Sequence, residues 1–168
     1  MKRRLTILAL TTLAVVAFIS VVLTVPSPAL AGGATQISGI GYYATTSQCP
    51  DFSGVADFAL NMTGDLEGCH YIFVETAVCS PSGTYRERGT EIFVGKVFGG
   101  APGTFETTYL FTAKLKSCPD LATEIFGRCQ HPIVRGTGTD VFEGVTGRFD
   151  IKDDLIAGNF PYTGHLRW

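Results

Sequence analysis

Two glutamates stand where they could do acid–base chemistry. In the run from Cys69 to Cys79, Glu75 shares one side of an extended chain with Tyr71 and Phe73. In the run from Thr84 to Phe98, Glu91 shares a side with Tyr85 and Phe93. With those aromatic sides turned into a closed sheet, carboxylates from two neighbouring strands would meet an apolar cavity. Such surroundings raise a carboxyl pKa and suit it to general acid–base work or to orienting a polar ligand group. Glu75 and Glu91 are therefore the candidate catalytic residues, and Tyr71, Phe73 and Phe93 the candidate ligand-binding ones. The competing reading places either glutamate outward, in solvent or against Arg86 or Arg88. Which strand face points inward is open at this level.

Other reactive types are placed less favourably. None of the three histidines, His70, His131 and His165, is at metal-ligand spacing from another, so no metal site is expected. His131 precedes Pro132 and belongs in extended or turn backbone. His165 falls on the solvent side of a C-terminal strand. Asp150, Asp153 and Asp154 lack the fixed spacing of a calcium loop. No G-x-S-x-G elbow is present to activate a serine. The run GTGTDVFEGVTG, Gly136 to Gly147, is glycine-rich. A dinucleotide loop would need a third glycine where Val141 stands, and a helix after it. The alternating RFDIKDD that follows begins no helix, so the run reads as a hairpin: Phe142 ends a strand, Glu143 to Thr146 turns, and Gly144 and Gly147 take positive φ. No cofactor is implied.

These residues must be positioned by strands. After residue 31 the chain shows Thr-, Val-, Phe- and Tyr-rich runs separated by turn residues, with no helical periodicity, which is an all-β pattern. The predicted strands are Gln36–Thr45, Val55–Gly64, Cys69–Cys79, Thr84–Phe98, Thr104–Lys116, Gly138–Phe142, Gly147–Asp153 and Gly158–Trp168, with a less regular segment at Leu121–Ile133. The short links TGDLEG, SPSG and GGAPG force antiparallel neighbours. About eight such strands hide their edges by closing into a single antiparallel barrel, with a sandwich as the alternative. Phe105, Thr107, Tyr109, Phe111, Ala113 and Leu115 share one face of their strand. Both faces of the Cys69–Cys79 strand are largely apolar, so its outer face needs a covering loop, a terminus or a second subunit.

All five cysteines follow residue 31. In an up-and-down order Cys49, Cys79 and Cys118 fall at one barrel end and Cys69 at the other. Cys69 and Cys79, ten extended residues apart, are separated by roughly 33 Å and cannot pair. This topology predicts the disulfides Cys49–Cys79 and Cys118–Cys129, the latter stapling the irregular segment, with Cys69 left as a buried, inert thiol.

The N-terminus sets the compartment. Lys2, Arg3 and Arg4 precede an uncharged run from Leu5 to Val25, then Pro26, Pro28 and Ala29-Leu30-Ala31. This is the layout of a secretory signal peptide over residues 1–31, leaving residues 32–168 as one extracytoplasmic domain. An uncleaved membrane anchor is the alternative, and the only membrane association expected. The formal charge is −2, and loss of three basic residues makes the remainder more acidic. It has no basic stripe for nucleic acid.

GTGTDVFEGVTGRFDIKDD resembles the C-terminal hairpin of the allene oxide cyclase and dirigent barrel superfamily, which carries a similar G-x-G-x-F-x-G-x-x-G pattern. The closing GNFPYTGHLRW is similar to the last strand of small secreted bacterial proteins of that type. The resemblance covers about the last quarter of the chain. It implies an eight-stranded antiparallel barrel, often trimeric, with an apolar cavity. That cavity would bind a small hydrophobic molecule and, in an enzyme, guide its cyclisation or coupling; a structural, envelope-associated oligomer with its barrel packed shut is the remaining alternative. No catalytic residue is carried over from it.

Overall fold

The computed structural model describes residues 33–168 apart from 51 and 53. The predicted signal segment lies outside the described residues, among which no helix is long and apolar enough to cross a membrane. Eight antiparallel strands form a closed barrel in sequence order: β1 (Thr35–Tyr43), β2 (Phe58–Gly64), β3 (Leu66–Cys79), β4 (Thr84–Val97), β5 (Pro102–Leu115), β6 (Glu124–Pro132), β7 (Thr146–Lys152) and β8 (Phe160–Arg167). β8 closes onto β1, with Tyr162 opposite Gly39. No edge is left unpaired, which is how an all-antiparallel sheet of this size avoids association through its rims.

Alternation puts one residue in two inside. On β5, Phe105, Thr107, Tyr109, Ala113 and Leu115 are buried, as the pattern predicts. On β4 the inward residues include Tyr85, Glu91 and Phe93. Space for large rings comes from inward glycines. A Cβ at Gly39 would lie 2.4 Å from the Tyr162 hydroxyl, so the missing side chain makes room for that ring. The Tyr162 hydroxyl there accepts a 2.8 Å hydrogen bond from the Leu66 amide and donates to the Thr63 carbonyl.

Two segments differ from the expected strands. Leu121–Ile133 is not irregular: most of it is β6, paired with β5 from Leu110↔Gln130 and with β7 from Arg128↔Lys152. Gly138–Phe142 is not a strand. It leads into a one-turn 3-10 helix at Asp140–Phe142, which carries Phe142 and the nearby Val145 into the end of the barrel, both with no exposed surface. The segment also serves the lower half of β5, which β6 does not reach. The Val134 and Thr139 amides bond the Glu106 and Thr104 carbonyls, and the Thr137 and Thr139 hydroxyls accept from the Glu106 and Thr104 amides. Gly144 (φ 75°) and Gly147 (φ 136°) take the positive φ expected of them, in a plug instead of a hairpin.

The plug closes one end. Phe93 and Phe105 stack at 5.0 Å between ring centroids, and Phe142 packs edge-on to both at 5.8 and 4.9 Å. The other end is formed by the last residues of β1, β3, β5 and β7 and the first of β2, β4, β6 and β8, and stays open.

The disulfides are Cys49–Cys69 and Cys79–Cys118, with Cα separations of 5.6 and 5.7 Å; Cys129 is the free thiol. The expected Cys49–Cys79 and Cys118–Cys129 pairs are corrected on two physical grounds. The chain after β1 doubles back down the outside of the barrel and brings Cys49 onto the middle of β3, where it packs with Ala59 and Cys69. Cys129 lies on an inward position of a real strand, out of reach of Cys118. The same loop covers the apolar outer face of β3, and the Tyr71 hydroxyl donates to the Pro50 carbonyl at 2.9 Å.

Candidate functional site

Glu91 is the polar centre of the barrel. Inward on the middle of β4, it is 2% exposed. Its Oε2 accepts hydrogen bonds from two other strands, from His131 Nδ1 of β6 at 2.7 Å and from the Thr107 hydroxyl of β5 at 2.5 Å, and pairs at 3.3 Å with His70 Nε2 of β3, which also lies 3.4 Å from the Thr107 hydroxyl. Burial alone would raise this carboxyl; the two imidazoles beside it outweigh that and hold it below the ordinary carboxylate range. All four side chains are buried.

The His131 ring is fixed on both sides. It lies parallel to Phe149 at 4.7 Å and is stacked more loosely against Tyr109 at 6.4 Å. With Nδ1 on Glu91 and the ring clamped, Nε2 is buried and has no hydrogen-bond partner. His70 Nδ1 is orphaned in the same way, behind Glu91 and away from the cavity wall. A carboxylate on one imidazole nitrogen with the other left free is the arrangement by which an acid orients a general base.

A cavity of about 110 Å³ runs from this centre to the open end. Its floor is Glu91, His131 and Cys129, its walls include Leu60, Ile72 and Ile151, and its rim is Tyr43, Phe58 and Phe160. Glu87 lies in the wall above Glu91 and accepts from the Tyr85 hydroxyl at 2.6 Å and the Tyr109 hydroxyl at 2.9 Å. Burial first, and then the bond to Glu87, pushes both phenols up, so they stay protonated donors. Near the rim Glu124 faces Asp153. Burial, together with Asp153, pushes the Glu124 carboxyl up to about 7, and burial also raises Asp153. Gly127 permits this approach: a Cβ there would lie 2.3 Å from Glu124 Oε1 and 2.7 Å from Asp153 Oδ2. Burial raises the Cys129 thiol as well, which keeps it protonated and unreactive.

The five residues singled out from sequence divide sharply. Glu91 is at the centre. Phe93 is inward but packed in the closed end, beyond the cavity wall. Glu75, Tyr71 and Phe73 lie on the outer face of β3, because the inward set of that strand is His70, Ile72 and Val74. The register of β3 against β4 also shifts between Val74 and Thr76, so Glu75 is a bulge residue, exposed and without a partner position. Glu75 and Glu91 therefore do not share a cavity. The residues that sequence reasoning passed over are His70, His131, Thr107 and Glu87. Alternation gave the signal for two of them, since Thr107 and Tyr109 share a face, as do Glu87 and Glu91. For the histidines no linear spacing could signal that β3 and β6 meet across β4 and β5.

The donor atoms His70 Nε2, Glu91 Oε2 and His131 Nδ1 lie within 4.8 Å of one another, a set that could also hold a metal ion. Comparison with known families, with curated proteins and with solved structures finds no match, so the functional reading rests on this geometry.

Proposed function

We propose that this chain is an extracytoplasmic barrel protein of the allene oxide cyclase-like or dirigent-like type that admits a small, largely apolar molecule through its open end and moves a proton on it, as a cofactor-free isomerase or cyclase. The carrying observation is His131, which lines the cavity floor: its Nε2 is buried and unpartnered while Nδ1 is held by an ionised Glu91. In this reading Nε2 takes a proton from the bound molecule, Glu91 stabilises the imidazolium, and the imidazolium, whose N–H exchanges with solvent, returns a proton to a different atom of the ligand. Substrate and product have the same composition, so no redox partner is needed. The closed eight-stranded barrel supports the superfamily resemblance, and the two disulfides support the extracytoplasmic setting. The cavity is smaller than those that enclose drug-sized ligands, so it would hold the reacting end of a molecule whose remainder leaves through the rim.

The test is native mass spectrometry of protein purified from its source, followed by incubation of the retained molecule with protein in deuterated water. Deuterium enters the molecule with wild type and not with His131→Asn. A retained molecule that exchanges equally with both reduces the protein to a binder of a hydrophobic ligand.

A second reading has one observation in its favour: two nitrogens and a carboxylate oxygen converge, a donor set suited to zinc or iron. Metal-bound histidines normally donate their second ring N–H to a partner. Here both second nitrogens lack one, which favours the proton-transfer reading. Stoichiometric metal in protein purified without chelators would reverse that preference.

A further inference from the structure

The cavity wall has a charge pattern that a purely hydrophobic ligand would leave unused. Glu87, Glu91 and Asp153 line it, and no lysine or arginine does. Among the described residues the only ion pairs that involve the cavity are those of Glu91 with His70 and His131. Glu87 is satisfied by two phenols, which are neutral donors. Asp153 faces another carboxyl, Glu124, whose titration is displaced upward by burial and by that proximity. Negative charge is thus held in an apolar wall with no fixed cation to balance it, an arrangement costly in an empty cavity and relieved by a cationic guest.

The rim points the same way. Tyr43 stands nearly perpendicular to Phe160, with centroids 4.8 Å apart, and edge-on to Phe58 at 5.8 Å. Three aromatic rings gathered at oblique angles over carboxylates attract an organic cation through their π faces, and that attraction strengthens as water is excluded. His131, with its buried and unpartnered Nε2, lines the floor, so the guest's uncharged portion has a polar residue to meet.

We propose that the ligand of this pocket is a small organic cation, an amine or quaternary ammonium compound, with its charged head between the aromatic rim and Glu87 and Asp153. This rests on the pocket reading above and narrows its ligand class. A carboxylate ligand would meet like charge, and a neutral hydrocarbon would leave Glu87 and Asp153 uncompensated.

The test uses the full secreted protein and two probes of equal shape: choline, and its neutral isostere with carbon in place of nitrogen. Binding is read by calorimetry and by shifts of the aromatic resonances. Choline binds about tenfold more tightly than the isostere. Glu87→Gln and Asp153→Asn each remove most of that preference while leaving the isostere's affinity and the circular dichroism spectrum unchanged. Equal or tighter binding of the isostere overturns the cation assignment and leaves the pocket reading standing. Failure of both probes to bind overturns both. Displacement of choline by calcium or zinc at equal concentration would assign the charge to an inorganic ion and overturn the proposal too.

Discussion

His131 reaches Glu91 with Nδ1 at 2.7 Å and lies flat against Phe149. One contact sets the nitrogen's direction and the other sets the plane of the ring. The residues come from β4, β6 and β7, so the pair exists only once the barrel has closed.

Removing the Glu91 charge should cost stability as well as function. The carboxylate is buried, accepts two hydrogen bonds on one oxygen and pairs there with His70 as well. Glu91→Gln can keep an oxygen for these donors but removes the negative charge that faces the two imidazoles. A loss of about 3 kcal/mol is expected in urea unfolding, in the range for breaking a buried charged network. An unchanged midpoint would mean the cluster contributes nothing to folding.

The disulfides can be separated by mapping. Under non-reducing conditions, proteolysis should yield one peptide pair joined through Cys49 and Cys69 and another through Cys79 and Cys118. Only Cys129 should be alkylated, and only after unfolding. The bridges close loops of 20 and 39 residues. Their removal should cost about 3 and about 4 kcal/mol on the chain-entropy relation. Recovery of a Cys118–Cys129 peptide would overturn the assignment of β6.

Stability should fall as pH rises through the neutral range. Glu124 titrates at 4.5 in an ordinary setting and at about 7 in the folded protein. Between those values the folded state holds more protons than the unfolded one. Its contribution is therefore complete below the lower value and lost as pH rises through the upper one. Asp153, also raised, acts in the same sense. Melting temperature should drop between pH of about 5 and about 8, and Glu124→Gln should flatten that slope. The opposite slope in wild type, or an unaltered one in the variant, would remove the pair as its origin.

The plug should be essential to the closed end. Phe142→Ala deletes a ring with no exposed surface from contact with Phe93 and Phe105. A cost of about 3 to 5 kcal/mol is expected in chemical denaturation, as for other buried phenylalanines. A cost under about 1 kcal/mol would place Phe142 outside the core.

The all-β class and barrel closure, most strand positions and the inward face of β5 were legible, because period-two alternation and short turns are local properties. Glu91 was legible for the same reason: Tyr85 and Phe93, on its side of the strand, are core-facing. Glu75 does share a side with Tyr71 and Phe73, but that side is the outer one, and with apolar residues on both faces of β3 the local pattern does not say which face turns inward. The disulfides were misassigned because the position of Cys49 depends on which way a long loop folds. β6 was read as irregular since its inward positions, Gly127, Cys129 and His131, carry a glycine and a polar histidine in place of an apolar run, the histidine being accommodated by Glu91.

By itself, the sequence determined the class of the fold, which regular residues share a side of their strand, and the glycines that let the chain turn. Tertiary structure alone decided that His70, Glu91, Thr107 and His131 share one oxygen's surroundings, and that the glycine run from Gly136 to Gly147 plugs an end of the barrel. The reason is physical: alternation is dictated by the geometry of neighbouring peptides, whereas contact across a barrel depends on strand order and register summed over the whole closed sheet.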